Sequence, residues 1–531
     1  MAAVPPPAHI SAITFEEGYV KSTLPPHHGL PDSILNDPEL VMRTDPETPS
    51  LTDVQYEALS QGAARGTSML VVAPTSTGKT LIGVWALTTW LLNAPPRNAV
   101  YLVTHRALAR QKFEELQALL CERYFQGDKH SIVLANGDTI EDGAGSVPTD
   151  PLNAPVLVAT YEKYLAMLSG SGSPSDTSRH IIICDEIQII GDEHRGRSIE
   201  VLLTMLRNAR WGQFIGLSAV IDPRDAKDLS EWLGAKLVHV GQREKHLHYE
   251  CRTLSRIRTF RTDRPELGIE EKTPPGPLGT EKTIAELKKN KSALPIVVFC
   301  MTRKRVDEAV RAYAQSLGMK IDDTHPLHPK LHEPTAAARN LSQFIPRRFA
   351  FHNAELMDDE RRLVEDVLKN KALDIVFATS TLAAGVNFPF KTAVFDEWKR
   401  WNPKTKTRDP LPASEFQNMA GRVGRMGTAH SHGAIIFSST GTFIDAQASN
   451  QYLQPDRATP LTPRITPTGF SQLALQLVSS GVCLNESDVA EFLSSTFSAM
   501  RERESNQTGL EHWRRAMAQS IQALREWGFL L

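Results

Sequence analysis

Ala73-Pro74-Thr75-Ser76-Thr77-Gly78-Lys79-Thr80 is the stretch on which the fold turns. It follows the apolar run Met69-Leu70-Val71-Val72, which reads as a buried strand. It precedes a helical pattern carrying Leu81, Val84, Leu87 and Trp90. A strand, a turn of small residues and a helix in that order make a phosphate-binding loop. Its backbone N–H groups point inward at phosphate oxygens, and the helix N-terminus adds its positive end. On this reading Pro74, Thr75, Ser76, Thr77 and Gly78 form the cradle, Lys79 reaches the β- and γ-phosphates, and the Thr80 hydroxyl ligates Mg²⁺. Ala73 stands where such loops usually begin with glycine.

About a hundred residues later, Ile181-Ile182-Ile183-Cys184-Asp185-Glu186-Ile187-Gln188 answers the loop. A β-branched strand delivers two adjacent carboxylates at its C-terminal end. Asp185 is placed to hold the metal, and Glu186 to orient or deprotonate an attacking water. Taken alone, the pair is compatible with a solvated strand end. In this order, each after a strand, loop and pair imply hydrolysis of a nucleoside triphosphate.

At 531 residues the chain exceeds one core, so two to four domains are expected. Lys+Arg 59 against Asp+Glu 61 gives a net charge of −2, so any polyanion contact must come from a local groove rather than from bulk attraction. The five cysteines are dispersed without a CxxC pair, which argues against a zinc or iron–sulfur site and for a reducing compartment. No apolar run approaches the ~20 residues needed to span a bilayer, and the start lacks the features of a secretory signal. An intracellular protein, cytoplasmic or nuclear, is expected.

Residues 1–50 are rich in proline and histidine and read as an irregular entry segment. Over 51–240 short apolar strands (Ala99–Thr104, Val156–Thr160, His180–Asp185, Phe214–Ser218) alternate with helical patterns, the rhythm of βαβ units and a parallel sheet. Asp138–Pro155 and Gly170–Ser178 read as loops. Arg264–Lys282 reads as a surface excursion of a second domain, 241–445, in which the rhythm restarts at Pro295–Cys300, Arg348–His352, Leu373–Thr379, Thr392–Phe395 and Gly433–Ser438. Residues 446–531 comprise a proline-rich linker (Ala446–Pro467) and amphipathic helical spacings, for which a helical module and a winged helix are both open readings.

In the second domain, Gln417-Asn418-Met419-Ala420-Gly421-Arg422-Val423-Gly424-Arg425 places two arginines three apart on one side of a helical turn. From there they can reach a γ-phosphate across a domain interface and stabilise transition-state charge. Ahead of them, Thr379-Ser380-Thr381 leaves a strand into a hydroxyl- and glycine-rich turn suited to phosphodiester contact without base reading.

With these segments in order, the chain resembles the superfamily-two helicases of the DExH-box type. The resemblance is to the group holding the archaeal repair helicases and the exosome-associated RNA helicases. Leu51–Gln55 resembles the adenine-checking element, which implies Gln55 as base reader and Gln417 as a further nucleotide contact. Tyr101–Ala109 and Val158–Lys163 resemble the strand-contacting motifs, implying Thr104, Arg106, Thr160 and Tyr161 at the nucleic acid. Gly191–Gly196 continues the Asp-Glu motif, Gly216–Ala219 resembles the motif coupling hydrolysis to domain movement, and Asp228–Leu233 resembles the helix after it. Phe351–Leu356 with Glu360-Arg361-Arg362 matches a further motif of the second domain.

The fold implied is α/β, two tandem RecA-like parallel-sheet domains followed by a small, mostly helical, winged-helix-like domain. ATP and Mg²⁺ are the implied cofactors. Lys79, Asp185, Glu186, Gln188, Arg422 and Arg425 are the implied catalytic set. Phe395–Leu411 lies where DNA-unwinding members carry a strand-separating hairpin. Trp398 and Arg400 suit stacking and phosphate contact there, and a lysine-rich surface loop beside a structural tryptophan is the competing reading.

Val220 replaces the usual threonine after Ser218-Ala219, and Gln188 replaces the commoner histidine, which keeps RNA open as substrate. The chain stops where repair helicases continue into a strand-gripping helical domain, so a protein partner supplying that grip is an expectation. Three readings follow: a DNA helicase or translocase of the repair type, an RNA helicase of RNA turnover, and an ATP-gated clamp or scaffold subunit.

Overall fold

The apolar runs are hydrophobic at every position rather than alternate ones, and this is what strands covered by helices on both faces require. A computed structural model describes residues 20–21, 23–38, 40–43, 48–74, 77–93, 97–171, 176–219, 221–241, 246–273, 275–379, 382, 390–402, 405–423, 432–439, 442–454, 460–505 and 510–529. In it the runs assemble two eight-stranded sheets.

The first sheet comprises β1 (Met69–Val72), β2 (Asn98–Val103), β3 (Ile132–Asn136), β4 (Thr139–Asp142), β5 (Val156–Thr160), β6 (His180–Asp185), β7 (Gln213–Ser218) and β8 (Lys236–His239). They stand in the order β8-β1-β7-β6-β2-β5-β3-β4. Neighbours run parallel except β3 and β4, an antiparallel edge hairpin. Thr139–Asp142 falls inside the stretch expected to be a loop. The Asn136-Gly137-Asp138 turn folds it back, with Gly137 in the left-handed region at φ +48.

One face of this sheet packs on the helices Lys79–Leu92 and Arg106–Tyr124. Leu30, Ile34, Leu40 and Val41 join that core, and the Trp85 indole N–H donates to the Leu40 carbonyl at 2.8 Å, so part of the entry segment is seated rather than irregular. The other face packs on Gly196–Asn208 and Pro223–Leu233.

The second sheet comprises β9 (His246–Arg252), β10 (Ile257–Arg261), β11 (Glu270–Lys272), β12 (Ile296–Phe299), β13 (Phe349–His352), β14 (Ile375–Ala378), β15 (Thr392–Phe395) and, beyond a small antiparallel hairpin β16 (Lys399–Asn402) and β17 (Thr407–Pro410), β18 (His432–Ser438). Its order is β11-β10-β9-β18-β15-β12-β14-β13. The Arg264–Lys282 excursion supplies the short edge strand β11 and the start of the helix Thr280–Lys289. Both sheets thus have the mostly parallel, helix-covered architecture of RecA-like domains.

The described residues from 467 onward are mostly helical, with α-helices over Phe470–Ser479, Glu486–Ser494, Phe497–Ser505 and Glu511–Glu526. These helices dock on the Gly196–Asn208 and Pro223–Leu233 helices that cover the first sheet's second face. The Trp232 indole N–H donates to the Ser495 carbonyl at 2.8 Å, and its ring lies 5.6 Å from that of Phe497. Arg501 pairs with Asp225 at 2.7 Å and also with Asp228. The stretch expected to be a linker is a helix over Phe443–Leu453 and, further on, buries Leu461 and Ile465 in the first domain's core. No helix among the described residues is long and apolar enough to cross a membrane.

Candidate active site

The carboxyl ends of β1, β6 and β7 meet on one edge of the first sheet. That is where open parallel sheets bind ligands. After β1 the chain turns into the Lys79–Leu92 helix through Gly78, at φ +78, and a Cβ there would stand 2.3 Å from Gln55 Nε2. Gln55 closes the first turn of its helix by accepting from the Thr52 N–H at 3.0 Å, and donates across to the Gly78 carbonyl at 3.2 Å. The Thr52 hydroxyl donates to the Thr77 carbonyl at 2.9 Å. Gln55 therefore braces the loop from behind. The Lys79 ammonium lies inside the loop, donating to the Ala73 and Pro74 carbonyls at 2.6 and 2.7 Å, while Thr80 is exposed on the first helical turn. Thr75 and Ser76 lie outside the described residues.

Asp185 ends β6, and Glu186 follows it in the left-handed region at φ 54, ψ 45. A non-glycine residue pays strain there, of a kind found at functional sites. Asp185 Oδ1 accepts from the Glu186 N–H at 3.1 Å, and the Tyr101 hydroxyl donates to Oδ2 at 3.4 Å. Burial raises the Asp185 carboxyl above the usual range, Glu186 adds to the effect, and Lys112 and Lys79 oppose it. Gln188 donates to Glu186 and accepts from the Ser218 hydroxyl at 3.0 Å and the Ala219 N–H at 3.2 Å. One amide thus joins the carboxylate to the end of β7. Val220 lies outside the described residues.

From the second domain, Arg422 reaches this edge. Burial lowers its guanidinium to about 10, with Glu186 and Asp185 opposing that shift, and its buried Nε has no hydrogen-bond partner among the described residues. An arginine that follows the Ala413–Ala420 helix of the second domain is therefore half-buried within electrostatic reach of the two carboxylates of the first. Arg425 lies outside the described residues. Gln417, expected at the nucleotide, is engaged within its own domain. Its amide accepts from the Tyr249 hydroxyl at 2.6 Å and donates to the Tyr452 carbonyl at 2.9 Å.

Three expected strand contacts are corrected or constrained. Tyr161 is 1 % exposed and its hydroxyl donates to the Asp185 carbonyl at 2.9 Å, so it holds the end of β6 and cannot stack on a base. Trp398 is likewise buried: its indole N–H donates to the Ser438 carbonyl at 2.6 Å, and its ring packs edge-on against Phe437 and Tyr452. The structural-tryptophan alternative is the one observed, and the exposed aromatic of the hairpin is Trp401, 58 % exposed, opposite Arg408. Arg400 sits on the same hairpin, paired with Glu415 at 2.5 Å.

Thr104, Thr160 and Thr379 are buried at the carboxyl ends of β2, β5 and β14, and Arg106 is exposed beside them at the start of its helix. Ser380 and Thr381 lie outside the described residues. Lys112 escaped sequence reasoning. It is buried behind Asp185, 5.5 Å from the Tyr101 ring, and a lysine on a helix's inner face is the signal that could have found it.

Residues 52–229 match the DEAD/DEAH box helicase family, and residues 280–427 match the helicase conserved C-terminal domain. Among curated relatives, the ATP-dependent DNA helicase Hel308 of Methanocella arvoryzae is 28% identical over 461 residues, 85% of this chain and 59% of that protein. Hel308 of Aeropyrum pernix is 30% identical over 393 residues and that of Pyrococcus abyssi 32% over 391, each covering 73% of this chain and 50% of the relative. The chain therefore spans about half to six-tenths of the length of these relatives. With its two matched domains, its paired sheets and its Asp-Glu edge, the chain belongs to the superfamily-two DExH-box helicases and is related to the archaeal repair helicases.

Proposed function

We propose that this chain hydrolyses ATP to move along one strand of DNA, in the manner of a repair helicase. The observation that carries the reading is Arg422, half-buried and brought from the second domain within electrostatic reach of Asp185 and Glu186 of the first. A cation so placed stabilises charge developing on a transferring phosphoryl group only while the two domains are closed, which ties hydrolysis to their relative motion.

In the proposed division of roles, the loop before the Lys79–Leu92 helix and the Lys79 ammonium hold the triphosphate, and Glu186 orients the attacking water. Gln188 reports the state of Glu186 to the end of β7. The Thr80 hydroxyl and the Asp185 carboxylate are hard oxygen donors of the kind Mg²⁺ takes, and that ion would neutralise phosphate charge during transfer. The strand would cross the carboxyl edges of both sheets, over Thr104, Arg106, Thr160 and Thr379, with the exposed Trp401 of the β16–β17 hairpin at the fork. Three features support DNA over RNA: the relatives named above are DNA helicases, the hairpin is present, and its exposed face pairs an aromatic with cations.

The test is steady-state ATP hydrolysis without polynucleotide, with single-stranded DNA and with single-stranded RNA, using Lys79→Ala as blank. Activation by DNA supports the proposal. Activation by RNA alone moves the chain to RNA turnover, and activation by neither refutes strand-driven hydrolysis.

A further inference from the structure

Three segments follow the carboxyl ends of the adjacent strands β5, β2 and β6: the first turn of the Tyr161–Ser171 helix, the Thr104–Arg106 connection and the continuation of the Asp-Glu segment to Arg195. A single side chain joins all three. Arg195 Nε donates to Glu162 Oε1 at 2.6 Å, and its Nη2 donates to the Thr104 carbonyl at 2.6 Å. The fork of one guanidinium thus spans the first two segments while its backbone belongs to the segment that carries Asp185 and Glu186.

That backbone is pinned. Asp192 Oδ1 accepts from the N–H groups of His194 and Arg195 at 2.9 and 2.8 Å. At the next residue, Gly196, a Cβ would stand 2.3 Å from the Ile190 carbonyl oxygen, so the chain can pass there only as glycine. Arg464 of the strap donates to the Gly191 carbonyl at 2.8 Å and fixes the other end of the segment. On the far side of the Thr104–Arg106 loop, the Asn136 amide donates to the Arg106 carbonyl at 3.3 Å, and the Arg106 guanidinium lies against Gly137. The loop is therefore held between two supports, of which the Arg195 support leads back to the segment that carries the carboxylates.

We infer that Arg195 is a positioning residue. It sets the Thr104–Arg106 loop and the Glu162 turn in one frame with the Asp-Glu segment, so that a shift at the nucleotide reaches the strand contacts, and the reverse. Its acceptors are a loop carbonyl and an exposed carboxylate at the sheet's functional edge, not groups of the core. Lysine carries the charge but lacks the planar fork that reaches two acceptors at once. The inference rests on the reading of the chain as a strand-activated ATPase.

The test uses the full chain with Arg195→Ala, Arg195→Lys and Glu162→Gln, measuring ATP hydrolysis against increasing single-stranded oligo(dT). For Arg195→Ala the basal kcat and the KM for ATP stay at wild-type values, while the half-activating oligo(dT) concentration rises about tenfold, as loss of one charge-assisted bond implies. Arg195→Lys and Glu162→Gln shift it in the same direction by less, and the Glu162→Gln, Arg195→Ala double variant is no worse than Arg195→Ala alone. An unchanged half-activating concentration overturns the inference. So does a basal kcat that falls in parallel, which marks a merely structural role. If wild type itself shows no activation by polynucleotide, the proposed function fails first and the inference falls with it.

Discussion

Glu200→Gln should abolish a pH dependence in the grip between the first domain and the C-terminal helices. Glu200 is fully buried in the Gly196–Asn208 helix. Its carboxylate accepts from the Ser498 N–H at 2.6 Å and the Ser498 hydroxyl at 2.7 Å. Burial lifts this carboxyl from the ordinary 4.5 to about 7, against the opposing pull of those donors. The sign follows from the direction of the shift: a folded pKa above the unfolded one means that the folded state binds the extra proton between those values. The stabilising contribution is therefore complete below the ordinary value and is lost as pH rises through about 7. At roughly 1.4 kcal/mol per unit of difference, the scale of the loss is about 3 kcal/mol. Glutamine keeps an acceptor for the Ser498 N–H and carries no charge at any pH. Hydrogen exchange over the Phe497–Ser505 helix, followed from mildly acidic to mildly alkaline buffer, reads this local opening. Wild type should lose protection as pH rises through neutrality, and Glu200→Gln should hold it. Equal slopes in the two proteins would refute the reasoning.

The remaining expectations concern the site and its hairpin. Lys79→Ala should abolish ATP hydrolysis, whereas Glu186→Gln should abolish it while still binding a fluorescent ATP analogue. Gly78→Ala places a side chain at φ +78, costing about 1–2 kcal/mol, and drives Gln55 off the loop; a raised KM for ATP is the expected reading. Trp398→Ala should destabilise the second domain by about 3–5 kcal/mol in a denaturant melt, because it removes a buried ring. Trp401→Ala should change stability by less than about 0.5 kcal/mol and instead slow separation of a forked DNA substrate.

Much of the architecture was legible along the chain because parallel strands buried on both faces must be apolar throughout, and Met69–Val72, His180–Asp185 and Thr392–Phe395 are read from that pattern without reference to any neighbour. The strand-to-helix turn at Gly78-Lys79 and the strand end at Asp185-Glu186 are local in the same way, because each rests on residues adjacent in sequence. The choice between Trp398 and Trp401 was not legible, since both are tryptophans in one short hairpin. Which of them is covered depends on Phe437 and Tyr452, more than thirty residues away. Tyr161 and Gln417 were misplaced for the same reason: their hydrogen-bond partners, Asp185 and Tyr249, come from other strands.

By itself, then, the sequence determined that two mostly parallel sheets follow one another, and where the Gly78-Lys79 turn, the carboxylates and the arginine motif lie along the chain. Only the tertiary structure decided that Arg422 comes within electrostatic reach of Glu186, that Leu461 and Ile465 seat the strap on the first domain, and that Arg195 bonds two segments at once. Local pattern reports a residue's own preference for burial and backbone shape. Which group accepts its hydrogen bond is settled by chain segments that meet only when the sheets have formed.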